Sequence, residues 1–354
     1  MLKKIHLKDA VGEILAHDIT EIRPGEFKGP AFRKGHTVSE TDIELLKKLG
    51  KNHLYCLDIE DDEIHEDQAA ALLAGALAGN GVIWRNNPKE GKIALFAEMD
   101  GLLNVEVATL EEFNMVEEVM CATLHNKTLV RKDDMVAATR AIPLVIKRAA
   151  IERAVSIAGL SIVSVKPLLK KDVGLIITGN EIYNGLIEDG FAPVLRKKVE
   201  ELGSTVSALD IAPDEPRFIA RVIRSQMEKG CNLILLTGGM SVDPDDVTRE
   251  GINMAGVKEV HYGSAVLPGA MFLAAYLENA VLLGVPACAL YHKATVLDLV
   301  LPRILAGEHI GKKELAAMGH GGLCRNCMEC SFPHCSFGKG TLDVLPTNSQ
   351  SYED

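Results

Sequence analysis

The chain has 354 residues, 47% of them apolar, enough to bury substantial cores and to form two or three domains. Its 38 basic and 49 acidic residues leave a formal charge of −11, which repels nucleic acid and anionic lipid. No basic cluster offsets that charge and aromatics are only 5%, so no nucleic-acid partner is expected.

The opening residues carry two lysines but no apolar run of signal-peptide length. Stretches such as 69–78 fall well short of the roughly 20 residues that span a bilayer. The chain is therefore read as cytoplasmic, with no membrane partner.

Residues 1–60 read as a small α+β unit. Strand-like runs with turns at Arg23-Pro24-Gly25 and Lys34-Gly35 lead to a helix over 39–49. Ser39 and Asp42 suit its start, Ile43, Leu45, Leu46 and Leu49 mark its apolar face, and Gly50 suits its C-cap. The acidic run Glu60-Asp61-Asp62-Glu63 reads as a solvated linker or a helix start. Residues 61–170 read as a mixed α+β domain, with a helix over 68–78, strands over 92–97, 102–107 and 135–142, and a helix over 147–158 ended by Gly159. Spacing alone gives this half no catalytic constellation.

Residues 171–318 are clearer. Apolar runs at 173–178 and 233–237 have the composition of parallel strands covered on both faces. Strands over 205–211 and 280–284 alternate with helices over 193–202, 216–228 and 246–255, and a last helix over 295–305 carries Pro302, which predicts a kink or an early stop. The fold class is therefore α/β: a three-layer domain with a mostly parallel sheet, preceded by the smaller α+β units.

Ligands of such sheets bind where loops leave the carboxyl ends of the strands. The first such loop is Thr178-Gly179-Asn180-Glu181, where glycine admits close approach, Thr178 can donate to an anion and Glu181 adds a carboxylate. The second is Thr237-Gly238-Gly239-Met240-Ser241-Val242-Asp243-Pro244-Asp245-Asp246. Its paired glycines can offer N–H groups to phosphate, and the following helix start can add to the field. Asp243 and Asp246 beside a phosphate cradle suggest Mg²⁺; the alternative is that Asp245 and Asp246 cap the helix.

These two loops, in this order, resemble the molybdopterin-binding (MoaB/Mog) domain of the molybdopterin molybdenumtransferases, the MoeA-like proteins. Ile187-Glu188-Asp189, Pro213-Asp214-Glu215, Leu267-Pro268-Gly269 and Gly284-Val285-Pro286 are similar to further family turns. The resemblance implies pterin binding at Thr178, Gly179, Asn180, Asp189, Thr237, Gly238, Gly239, Ser241, Pro268 and Gly269. It places Glu181, Asp214 and Asp246 on acidic positions implicated in molybdenum insertion. In that reaction adenylated molybdopterin combines with molybdate, AMP leaves and the dithiolene acquires the metal.

Several positions depart from the family. Asp189-Gly190-Phe191 replaces the usual Asp-Ser-Asn, Pro286-Ala287-Cys288-Ala289 replaces Pro-Gly-Asn-Pro, and Asp243 stands where glycine is usual. Nothing after the last core helix resembles the family's C-terminal β-barrel. An enzyme acting on molybdopterin and molybdate, and a carrier that delivers finished cofactor to a molybdoenzyme or receives it from an upstream assembly protein, both remain open. A homo-oligomer is expected.

Residues 319–340 hold Cys324, Cys327, Cys330 and Cys335 at C-x₂-C-x₂-C-x₄-C spacing, which suits an Fe–S cluster or Zn²⁺. His320 and His334 keep zinc open. The segment is expected to fold around its metal as a module separate from the α/β domain, approached through Gly319, Gly321 and Gly322. Residues 341–354 read as a polar end.

Overall fold

The structure, a computed structural model, describes residues 3–23, 26–57, 60–88, 91–159, 161–240 and 246–340. Two compact units divide the chain: Met1–Glu98 with Val105–Leu124 and Lys132–Val165, and Met99–Asn104 with His125–Arg131 and Lys166–Asp354. Two short excursions from the first half thus belong with the second unit.

In the first unit, Leu7, Leu15, Leu46 and Leu54 fill a small core. The helix expected over 39–49 starts later, at Asp42–Lys48, because Ser39 is used otherwise: its N–H and hydroxyl both donate to the Asp42 carboxylate. The acidic run is not an open linker. Glu63–His65 is a strand paired antiparallel with Val145–Lys147, and Lys147 bridges Asp62 and Glu63 at 3.1 Å each. An antiparallel four-stranded sheet follows, in the order Val82–Trp84, Lys92–Ala97, Met135–Ala141, Val119–Thr123.

The second unit is built on six strands: β1 (Asp172–Thr178), β2 (Thr205–Ala212), β3 (Leu233–Thr237), β4 (Glu259–Tyr262), β5 (Leu273–Leu277) and β6 (Ala280–Val285). Their order is β2-β1-β3-β6-β5-β4, parallel from β2 to β6 and antiparallel at β5 and β4. Helices α1 (Asn180–Tyr183), α2 (Phe191–Glu201), α3 (Pro216–Glu228), α4 (Thr248–Met254), α5 (Val296–Leu305) and α6 (Lys312–Ala317) complete it.

Side-chain alternation explains the continuous apolar runs. Val173, Leu175 and Ile177 share a core with Leu195 and Val199 of α2 and with Val300 and Leu301 of α5. Ile176, Ile234 and Leu236 share another with Ile219 and Ile223 of α3 and Ile252 of α4.

Pro302 does not stop α5, which runs on to Leu305. Val300, Leu301, Ile304 and Leu305 are all buried, and that packing outweighs the lost backbone hydrogen bond. The helix expected from residue 246 begins only at Thr248, with Val247 at the N-cap, so Asp246 is not its cap. The helix is seven residues long, too short to supply the helix-end field expected of it.

Among the described residues, no helix is long and apolar enough to cross a membrane.

Candidate functional site at the carboxyl edge of the sheet

Parallel strands β1, β2, β3 and β6 all end at one edge, and the loops singled out in the sequence leave from there. The first two are pressed together. A Cβ on Gly238 (φ +86°) would lie 2.2 Å from the Thr178 carbonyl oxygen, and one on Gly239 (φ +55°) would lie 2.6 Å from Thr248 Oγ1. Glycine is required at both positions, for the left-handed backbone and for the close approach.

Thr178 is buried and committed to this join. Its hydroxyl donates to the Thr237 carbonyl at 2.9 Å and pairs with the Thr248 hydroxyl at 2.9 Å. Asn180 and Asp214 close a reciprocal pair between the loops after β1 and β2: Asn180 N–H donates to Asp214 Oδ2 at 2.8 Å, and Asp214 N–H to Asn180 Oδ1 at 3.2 Å. Glu181 folds its exposed carboxylate back over Gly179, where a Cβ would be 2.9 Å from Oε1.

Asp189 accepts the N–H groups of Phe191 and Ala192 at 2.7 and 3.0 Å, so it anchors the start of α2. Pro268 and Gly269 sit against α5, with the Val296 N–H donating to the Pro268 carbonyl and the Ser264 hydroxyl to the Gly269 carbonyl. Asp246 is half-buried just before α4, while Ser241 and Asp243 lie outside the described residues.

Thr237 completes the edge. Its Oγ1 is buried and, among the described residues, has no hydrogen-bond partner. An unsatisfied hydroxyl at the mouth of a glycine turn is costly unless something arrives to meet it.

Sequence reasoning missed Thr248 and Tyr262. Tyr262 donates to the Met240 carbonyl at 2.7 Å while the Arg249 guanidinium lies 3.8 Å from its ring centre, so β4 holds the glycine loop in place. Also missed were Glu259, His261 and His309. Both imidazole Nε2 atoms meet Glu259 Oε1, at 2.5 and 3.0 Å, and hold its carboxyl below the usual range, His261 contributing more than His309. Among the described residues they are the group of three metal-ligating side chains whose atoms lie within 4.8 Å of one another. The i, i+2 spacing of Glu259 and His261 on one strand face was the available signal.

The cysteine segment is not a separate module. Cys324 and Cys335 pack against the main core beside buried Phe337, and Gly338 is pressed onto Leu299 of α5. The proposed glycine approach is likewise bound: Gly322 is buried and its carbonyl accepts the Leu267 N–H at 2.8 Å.

Ligands of parallel α/β sheets are held in the crevice at the carboxyl edge, which is where the glycine turns of this unit gather. Residues 174–306 match the family described as "Probable molybdopterin binding domain", and residues 4–58 match a "Domain of unknown function". On that match residues 174–306, within the second unit, are similar to a molybdopterin-binding domain.

A CinA-like protein of Thermosipho melanesiensis is 35% identical over 92 residues, which is 26% of this chain and 22% of that protein. A CinA-like protein of Mycobacterium tuberculosis is 34% identical over 77 residues, 22% of this chain and 18% of the relative. The matches span about a fifth of the length of these curated relatives. Among solved structures, the molybdopterin biosynthesis enzyme MoaB of Thermus thermophilus is similar at TM-score 0.33 and 23% identity, over 39% of this chain and 98% of its own. CinA of Thermoplasma acidophilum is similar at TM-score 0.35 and 16% identity, over 38% and 98%.

Proposed function

We propose that the second unit binds molybdopterin, as substrate, through its phosphate at the 178–180 and 237–239 turns, and inserts molybdenum into the adenylated form. The observation that carries this reading is the junction of the two glycine turns within the matched 174–306 segment. The residues fit an anionic ligand: side-chain-free backbone at Gly238 and Gly239, and the unpartnered Thr237 hydroxyl beside them. Asp246, with Asp243 of the intervening loop, would hold Mg²⁺, which offsets phosphate charge when bound. Asp214 positions the first loop through Asn180, and Glu181 supplies a carboxylate over Gly179.

Thr237→Val tests the cradle without enlarging any side chain. The ligand-free protein should be as stable or about 1 kcal/mol more stable, since an unpaired hydroxyl is removed, and pterin affinity should fall roughly fivefold. Unchanged affinity by titration would take this hydroxyl out of the site.

The acids are tested by AMP release from adenylated molybdopterin with molybdate and Mg²⁺. Glu181→Gln and Asp246→Asn should each slow release on the order of a hundredfold or more, as expected when a charge stabilising the transition state is lost. Pterin binding should change far less. Equal losses in both would make them binding residues only.

A second reading, a carrier of finished cofactor, is favoured by Asp189 and Asp214, whose carboxylates already accept main-chain N–H groups. Mass spectrometry of the copurifying pterin separates the two: the adenylate marks the enzyme, the complete cofactor the carrier. Light scattering of the purified chain tests the homo-oligomer that accompanies either reading.

A further inference from the structure

The four remaining cysteines lie away from the tail. Cys56, Cys121 and Cys231 are buried and Cys288 is half-buried; burial pushes the Cys121 thiol up to about 12, so it stays protonated. Cys324, Cys327, Cys330 and Cys335 differ. All four line one cavity of about 270 Å³, together with His292, Lys293 and Arg325.

The local backbone is shaped for a sulfur ligand. Asn326 adopts φ +50°, and its N–H is directed at Cys324 Sγ at 3.5 Å. Hydrogen bonds of this kind to ligating sulfur stabilise the thiolate and tune a centre. The outer two thiols, Cys324 and Cys335, are fixed by packing on the α/β core, while Cys327 and Cys330 stand on an exposed turn between them.

The room between the sulfurs and the charge around them bear on what they hold. One tetrahedral zinc, with bonds of about 2.3 Å, draws every pair of its sulfurs to within about 4 Å. All four thiols line one cavity of about 270 Å³, more room than a single ion needs. A four-iron cluster sets one iron at each thiolate and fills a larger space between four cysteines than a single ion does. Lys293 and Arg325 at the rim complement the negative charge of a cluster with four thiolate ligands.

The cavity also adjoins the candidate pterin edge. Cys324 N–H donates to the Leu267 carbonyl at 2.8 Å, and Leu267 pairs with Leu323 in a parallel bridge, directly before Pro268 and Gly269. Residues 291–294, which line the cavity, lead from the loop after β6 into α5, whose first residue Val296 donates to Pro268.

We propose that Cys324, Cys327, Cys330 and Cys335 ligate a four-iron, four-sulfide cluster, joined by main-chain hydrogen bonds to the 267–269 turn of the pterin edge. Each thiol gives up its proton on ligation, and the cluster holds the tail in the conformation that supports that turn. The coupling to pterin rests on the function proposed above; the cluster itself does not.

The full chain, purified without oxygen, is the material for the test. Iron and acid-labile sulfide should be found at about four each per chain, with visible absorption that bleaches on reduction. Cys327→Ser and Cys330→Ser alter exposed positions, so the cluster should be lost while the thermal transition of the α/β unit remains. One zinc per chain without sulfide would overturn the cluster in favour of a single ion. Four freely titratable tail thiols in metal-free protein would overturn any metal centre. Removing the cluster should weaken molybdopterin binding at least about fivefold, the lower end of coupling between linked sites. Equal affinity with and without the cluster would overturn the coupling. A cluster-loaded protein that binds no pterin would overturn the proposed function and leave the cluster standing.

Discussion

Replacing Glu308 with glutamine is expected to destabilise the second unit by about 3–5 kcal/mol, the cost of breaking a buried ion pair from one side. Glu308 accepts from Arg303 Nε at 2.7 Å and from Lys127 Nζ, and the three side chains are only 11%, 7% and 17% exposed, respectively. Lys127 belongs to the 125–131 segment of the second unit, and it also donates to Asn104 at 2.7 Å. The carboxylate therefore pins both excursions to α5, and the amide leaves two buried cations without their anion. Burial pushes the Glu308 carboxyl up, but hydrogen bonds from Lys127 and Arg303 outweigh it and the net shift is downward.

The sign of the pH dependence follows from that shift. A lowered folded-state value means that the stabilisation is fully present above the ordinary carboxyl value of 4.5 and is lost as pH falls through the lowered one. Denaturation of wild type and Glu308→Gln should differ most near neutrality and converge in acid. A gap that stays constant into strong acid would show that lost packing, not lost charge, causes the effect.

The strands legible in the sequence were those with a physical reason to be simple. Runs 173–177 and 233–236 are buried on both faces, where only apolar residues and glycine fit, and each ends in a buried threonine at the site. The sheet's other edge was missed because β4, with burial alternating between half and full exposure, carries Glu259 and His261 where a covered strand would carry apolar residues. The start of α4 was misplaced because two aspartates looked like caps, although Val247 takes that position. At the site, the glycine turns announced themselves by composition. Their mutual contact, the Thr178–Thr248 pair and the unpartnered Thr237 hydroxyl did not, since each depends on residues brought together from different strands. The attachment of the cysteine segment to the 267–269 turn was also invisible, because a main-chain pairing leaves no mark on side-chain identity.

Gly238→Ala is expected to cost the ligand-free protein about 2–4 kcal/mol, combining left-handed backbone strain with overpacking. The sequence alone suggests that a larger residue here would block a ligand while sparing the sheet, as befits a loop. The geometry changes that expectation: the new Cβ would meet the Thr178 carbonyl oxygen at 2.2 Å, and that oxygen belongs to the buried end of β1. A flexible side chain could move aside, but a strand terminus packed between two cores cannot. Gly203 supplies the comparison, with φ +79° but nothing within 4 Å of its Cβ position. Gly203→Asn keeps a residue that tolerates the left-handed region and should cost less than about 1 kcal/mol. Chemical denaturation of both variants, read without ligand, separates backbone strain from collision. A Gly238→Ala midpoint as close to wild type as that of Gly203→Asn would mean that the two loops are not in contact, and the anion cradle built on their junction would fall with it.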